Sequence, residues 1–173
     1  IQECQVLVIG AGSIGLLTAL LLKSYGVKMQ VLETNLARHP CVKEHVGIDA
    51  INPITQTLSS NNFDIVIDCV GSEKTSSLSF ETIKTGGVII NVGLQSWTSS
   101  INIRKLTLEE IKLIGCYTYS MEDFKSALKT IESGKFGNLS WIKELPLSDA
   151  NLAFKQLHDD RMSSAKVILK PHL

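Results

Sequence analysis

Residues 4–9, CQVLVI, form an apolar run closed by Gly10. That is the pattern of a strand buried on both faces of a parallel sheet. Residues 13–25, SIGLLTALLLKSY, then read as a helix with Gly26 as its stop. A second strand is expected at 28–33, KMQVLE, and a less regular helical stretch at 36–46, interrupted by Pro40. A short third strand is expected at 49–52, before Pro53; the polar stretch TQTLSSNN leaves little room for a helix after it. Residues 64–70, DIVIDCV, and 88–92, VIINV, read as two more buried strands. A helix over 75–84 lies between them, and Gly86-Gly87 is the turn into the second. Residues 112–117, KLIGCY, give a sixth strand.

Alternating strands and helices with short connections predict an α/β fold, a doubly wound parallel sheet of about six strands with helices on both faces. The texture changes after Ser120. An amphipathic helix is expected at 121–133, with Phe124, Leu128 and Ile131 at helical spacing as core positions. A second helix is expected near 148–158, with Ser148 as N-cap and Asp149 in the first turn. Residues 165–170, AKVILK, form a last strand with no evident partner. Two units follow: 1–120, and a C-terminal segment 121–173.

Composition narrows the function classes. Lys plus Arg and Asp plus Glu number 17 each. Such balance argues against a nucleic-acid groove or a membrane-surface patch, both of which need basic excess. The longest apolar stretch, 14–22, is too short to span a bilayer. No signal peptide is evident, and the first residue, Ile1, suggests a piece of a longer polypeptide. Cys4, Cys41, Cys69 and Cys116 are scattered, with no CxxC pair. That suggests neither a zinc knuckle nor a disulfide framework and fits a reducing cytoplasm; Cys4, Cys69 and Cys116, in apolar runs, read as small hydrophobes. Cys41 and His45, with His39 nearby, do not complete a tetrahedral set. His158 and His172 read as solvated.

The chemistry-bearing motif is Gly10-Ala11-Gly12-Ser13-Ile14-Gly15. Alone, GxGxxG says little. Here it follows a buried strand, opens a helix, and has an acid, Glu33, at the end of the next strand. Gly10 allows the tight turn, Gly12 lets a diphosphate approach the backbone, and Gly15 lets the helix pack on the sheet. Free N–H groups around Ser13 and Ile14 would face the phosphates. Glu33 can accept the adenosine-ribose hydroxyls and would repel a 2′-phosphate, which predicts NAD over NADP; Arg38 could reach the same ribose.

Several blocks together resemble the medium-chain, zinc-type alcohol dehydrogenase family: VLVIGAGSIGLLTA, HVGIDAINP, FDIVIDCVG, GGVIINVG, KLIGCYTYSMEDFKSALKTIESGK, LPLSDANLAF and AKVILKP. The resemblance covers nearly the whole chain, and its C-terminal run looks nearer to polyol and sugar-type dehydrogenases. It implies a Rossmann cofactor domain, followed by a segment that returns to a separate catalytic domain. Nothing here resembles that domain's catalytic cysteine, GHE segment or zinc lobe. No residue is therefore put forward as catalytic or as a metal ligand. Zinc is expected only in the N-terminal domain, and the fragment alone is expected to be inactive.

The resemblance also places Gly10, Gly12, Ser13, Ile14 and Gly15 on the pyrophosphate, with Ile14 backing the nicotinamide. Glu33 and Arg38 go to the adenosine ribose, and Val70 to the cleft wall. Val92, Gly93 and Leu94 go to the carboxamide, and Lys166 to the pyrophosphate. It implies hydride transfer between an alcohol and the nicotinamide in the full-length enzyme, and a homodimer paired through the sixth strands. Three alternatives stay open: a zinc-free quinone or enoyl reductase of the same superfamily, a non-catalytic NAD-sensing module, and a methyltransferase.

Overall fold

The computed structural model describes residues 3–58, 60–159 and 162–171; His172 lies outside them. Strand β1 (Gln5–Ile9) enters the centre of the sheet, and α1 (Ser13–Ser24) follows at once. Strand β2 (Lys28–Leu32) pairs in parallel with β1 on one side; β3 (Phe63–Asp68) pairs in parallel on the other. Beyond β3 lie α3 (Glu73–Thr82), β4 (Ile83–Asn91), α4 (Ile103–Leu108) and β5 (Lys112–Gly115). The order β2-β1-β3-β4-β5 is all parallel. The chain therefore reverses its direction of winding between β1 and β3. In such sheets a ligand sits outside the carboxyl ends of the strands at this switch point.

The expected doubly wound sheet is present, with five strands in place of about six. The stretch expected as the third strand contributes one bridge, Leu32 to Ile51, with Glu33 N–H donating to the Ile51 carbonyl and Ile51 N–H to that of Val31. Pro53 and the polar residues after it cannot extend the ladder. The 36–46 stretch is helical but mixed: a 3-10 turn (Leu36–Arg38), α2 (His39–Cys41) and a π turn (Val42–Val46) ended by Gly47 at φ 90°. Pro40 does not break it, because it sits in the first turn of α2, where the missing N–H is not needed. Gly86-Gly87 is a bulge inside β4, not a turn before it: the register shifts between the Phe63–Ile83 and Ile65–Val88 pairs, with Gly86 at φ 73°.

Two apolar clusters cover the two faces of the sheet. One joins Val6, Val8 and Val31 to Leu16, Ala19 and Leu20 of α1; the other joins Leu7, Ile9, Phe63 and Ile89 to Phe80 of α3.

The C-terminal segment contains α5 (Met121–Glu132), β6 (Ile142–Pro146), α6 (Ala150–His158) and β7 (Lys166–Lys170). The last strand does have a partner: β6 and β7 pair in parallel over five residues. Trp141, just before β6, is buried in the α1-side cluster, with Phe136, Leu139, Ile142 and Ala165 packed against it. Ser148 is not an N-cap. It lies within a 3-10 turn (Leu147–Asp149), and Asp149 occupies the cap position without a side-chain bond. Phe124, Leu128 and Ile131 are not core either, being 44–48% exposed. They share one face of α5, on which no described residue is packed closely enough to bury it. Cys116 is exposed at the end of the sheet, while Cys4, Cys41 and Cys69 are partly buried; all four are free thiols. His158 is exposed, as expected.

Candidate functional site

The glycine turn is built as its spacing requires. Gly10 takes φ 90°, a conformation open mainly to glycine, and its N–H donates to the Leu32 carbonyl at 2.8 Å. At Gly15 a Cβ would lie 1.8 Å from the Gly10 carbonyl oxygen, so only glycine lets α1 start this close to β1. At Gly12 a Cβ would meet no heavy atom within 4 Å. Gly12 is also the N-cap of α1, and no side chain caps the helix. The first-turn amides, from Ser13 to Gly15, therefore keep the unsatisfied N–H groups that every helix start presents. Uncapped amides, the helix dipole and open space above Gly12 together suit an anion.

Glu33 follows β2 directly and is 5% exposed. Its Oε2 accepts the Ala11 N–H at 2.9 Å, and its Oε1 accepts the Asn35 N–H at 2.8 Å. Arg38 Nη1 lies 3.5 Å from Oε2. The carboxylate thus braces the glycine turn it was expected to neighbour. With about four lone-pair positions, two taken by backbone amides and one faced by Arg38, it retains capacity for about one hydroxyl donor. The His39 ring contributes a link the sequence did not suggest: Nε2 is 2.8 Å from the Glu33 carbonyl and, since a carbonyl only accepts, carries the proton.

On the other side of the turn, Val70 Cγ2 would lie 2.6 Å from a Cβ at Gly10, so Val70 leans directly over the turn. Val92 and Gly93 are partly buried at the end of β4, and Leu94 is 74% exposed. Ser13 Oγ donates to the Ala165 carbonyl at 2.6 Å. This bond ties the C-terminal segment to the glycine turn and puts Lys166 one residue from it. It also commits the Ser13 hydroxyl proton, leaving only the Ser13 N–H for a phosphate. Ile14 is 53% exposed beside the turn. Eleven of the twelve sequence-predicted positions lie in or beside the segments that leave the carboxyl ends of β1, β2, β3 and β4; Lys166, at the start of β7, is linked to them only through the neighbouring Ala165 carbonyl. Beside them, Gly71, Gly93 and Leu94 also border a cavity of about 360 Å³ that lies behind the β3 and β4 loops, lined further by Asp68, Phe80 and Trp97.

Among the described residues, no group of three or more His, Cys, Asp or Glu is placed to hold a metal. Cys41, His45 and His39 do not converge. Burial raises the Cys69 thiol to about 11, with Asp68 beside it adding to the effect and a bond with Thr18 opposing it. Cys69 is thus no nucleophile at neutral pH.

The family model for zinc-binding dehydrogenases matches residues 13–133, well over half of the chain. The chain belongs to the zinc-binding dehydrogenase family. The chain is 27% identical to sorbitol dehydrogenase 1 of Saccharomyces cerevisiae over 146 residues, which is 76% of the chain and 41% of the relative. It is 25% identical to (R,R)-butanediol dehydrogenase of Neisseria gonorrhoeae, covering 96% of the chain and 50% of the relative. The chain spans half or less of the length of these curated relatives. Acetophenone reductase from Geotrichum candidum, solved with NAD, superimposes with a TM-score of 0.87 at 20% identity, over 97% of this chain and 48% of that one. Escherichia coli K-12 YHDH with bound NADPH superimposes at 0.80 with 19% identity, over 98% and 55%. These likenesses establish a Rossmann-like fold. Among the described residues no helix is long and apolar enough to cross a membrane.

Proposed function

We propose that this chain is the nicotinamide-dinucleotide-binding part of an alcohol dehydrogenase of polyol or sugar type, and that it takes NAD in preference to NADP. The observation that carries this reading is the uncapped start of α1 under open space at Gly12, braced by the buried Glu33 carboxylate. The amides of Ser13 and Ile14 would hold the diphosphate, with Lys166 reaching it from β7. Glu33 would take an adenosine-ribose hydroxyl, with Arg38 beside it. Val70 and Ile14 would flank the nicotinamide, and the backbone at Val92, Gly93 and Leu94 would hold its carboxamide. When bound, the nicotinamide supplies the carbon that accepts or returns a hydride. The chain's own part is to orient that ring; none of its residues is assigned to the chemistry. The described residues do not fit zinc. On the family reading the metal and most of the substrate pocket belong to a catalytic domain. Residues 1–120 would then form the cofactor unit, while the 121–173 segment, with the apolar face of α5, would return to that domain. The open edge of β5, with Leu113 and Ile114 partly exposed, is where a second copy would pair.

The absence of a metal cluster among the described residues also suits a zinc-free reductase of the same superfamily, and one structural neighbour carries NADPH. Cofactor choice favours the first reading, because a 2′-phosphate would meet the Glu33 carboxylate at close range. Calorimetric titration of the chain with NAD and with NADP tests it. NAD binding at least about tenfold tighter is expected. Tighter NADP binding would move the chain to the reductase reading, and no binding of either would reject both.

A further inference from the structure

Asp68 ends β3 and is 1% exposed. Its Oδ1 accepts two backbone amides, Val70 N–H and Gly71 N–H, each at 2.9 Å. Its own carbonyl accepts two more from the neighbouring strand end, Val92 N–H at 2.9 Å and Gly93 N–H at 3.0 Å. One residue thus anchors both loops that leave the carboxyl edge beside the glycine turn. The loops are laced further on: Gln95 N–H donates to the Val70 carbonyl and Ser96 N–H to that of Gly71. They touch with no slack. A Cβ at Gly71 would lie 1.9 Å from the Gly93 carbonyl oxygen, and one at Gly93 would lie 2.1 Å from the Val70 carbonyl carbon. Val70 borders Gly10, where an added Cβ would lie 2.6 Å from its Cγ2. Any movement of residues 70–71 therefore passes to residues 92–94.

We propose that Asp68 is a positioning residue for the nicotinamide half of the cofactor, fixing the height of Val70 and of the Val92–Leu94 backbone over the turn. This rests on the cofactor reading above. Asp68 need not touch the ligand; its side chain acts through the Val70 and Gly71 amides. Residues 92–94 follow because Gly71 and Gly93 are in close backbone contact, while the Val92 and Gly93 bonds to the Asp68 backbone carbonyl stay in any variant. The adenosine half is held independently, on the far side of the turn, by Glu33 from the end of β2. The consequence is selective: losing the Asp68 acceptor loosens the site for the ring while leaving the adenosine and diphosphate contacts in place. Oδ2 is buried without a hydrogen-bond partner among the described residues. The holding is therefore done by Oδ1 alone, and asparagine, which keeps one carbonyl oxygen, is the conservative replacement.

The test titrates the chain and its Asp68→Ala and Asp68→Asn variants with two probes. NADH is followed by its nicotinamide fluorescence; ADP-ribose, which carries adenosine and diphosphate but no nicotinamide, is followed by calorimetry. Asp68→Ala should weaken NADH by about tenfold or more while ADP-ribose stays within about threefold. Its bound-state emission should shift toward that of free NADH. Asp68→Asn should restore both affinities to within about threefold of the parent. If Asp68→Ala fails to fold by far-ultraviolet circular dichroism, Asp68→Ser carries the same comparison, since its shorter side chain cannot serve both amides. Equal losses for the two probes, no loss for either, or an asparagine variant as weak as the alanine one would overturn the assignment. A parent chain that binds neither probe would instead reject the cofactor reading, and this assignment with it.

Discussion

Replacing Gly12 by valine separates folding from binding in a way the geometry makes quantitative. Gly12 has φ −69° and ψ −171°, extended backbone that any residue adopts, and a Cβ there meets nothing within 4 Å. The folded chain should therefore accept the side chain. Reduced freedom of the unfolded chain favours the variant by about 0.4–1 kcal/mol, and the poorer N-cap opposes this by a similar amount. Net stability should move by less than about 1 kcal/mol. Binding should not survive so well, because the isopropyl group fills the space through which a diphosphate reaches the Ser13 and Ile14 amides. A hydrogen bond to a charged group is worth about 1.5–3 kcal/mol, so losing even one weakens NAD by about ten- to a hundredfold. The control is Gly15→Ala, whose Cβ would lie 1.8 Å from the Gly10 carbonyl oxygen. Overpacking of that kind costs about 1–3 kcal/mol or more. Urea midpoints and NAD calorimetry on both variants give the comparison. The reasoning is refuted if Gly12→Val binds NAD with unchanged affinity, or if its binding fails only in proportion to lost stability.

Ser13→Ala should leave NAD affinity within about threefold, since the hydroxyl proton is already given to Ala165. It should also loosen β6 and β7 by about 1 kcal/mol, read as faster amide exchange there; a large affinity loss without that loosening would contradict the assignment. At pH 8 a disulfide reagent should label exposed Cys116 well before Cys69, whose thiol, raised to about 11, is ionised in only about one molecule in a thousand. Equal labelling rates in the folded chain would be wrong for this structure. Asp64 is held below the ordinary carboxylate value, first by the Gln5 N–H and then by Lys84. Its contribution is therefore complete above about pH 4 and is lost as pH falls through the lower folded value. Asp64→Asn should lower stability at neutral pH by under about 1 kcal/mol for this half-exposed pair and flatten the acid limb of the curve, read from melting temperatures between about pH 2 and 7. An unchanged acid limb would rule that contribution out.

The half of the fold that carries the site was readable because its determinants are local. Buried parallel strands leave unbroken apolar runs, as at Val6–Ile9 and Ile65–Ile67, and the three glycines announce a turn whose conformations the structure displays. Glu33 was legible as an acid at a strand end. Its bond to Ala11 was not, because that depends on how β1 and β2 align. Asp68 was hidden inside an apparently apolar stretch; an acid at the end of a buried strand, followed three residues on by glycine, was the available signal. Strand β6 was missed because IKELP mixes charges with a proline and pairs only with β7, far along the chain. Helix α4 has six residues and little periodicity to read. The apolar stripe of α5 is legible in its spacing, but the expectation that it is core fails, because spacing alone does not say whether anything covers it.

The central claim is that a nicotinamide dinucleotide lies across the glycine turn, with its diphosphate on the α1 amides and its ribose on Glu33. Amide chemical shifts of the isotope-labelled chain, followed during NAD addition, test it most directly. The largest changes should fall at Gly12, Ser13 and Ile14, with a second set at Glu33–Asn35 and a third at Val70 and Val92–Leu94. Saturating NAD that leaves Ser13 and Ile14 unmoved, or moves only residues around the cavity behind β4, would contradict it.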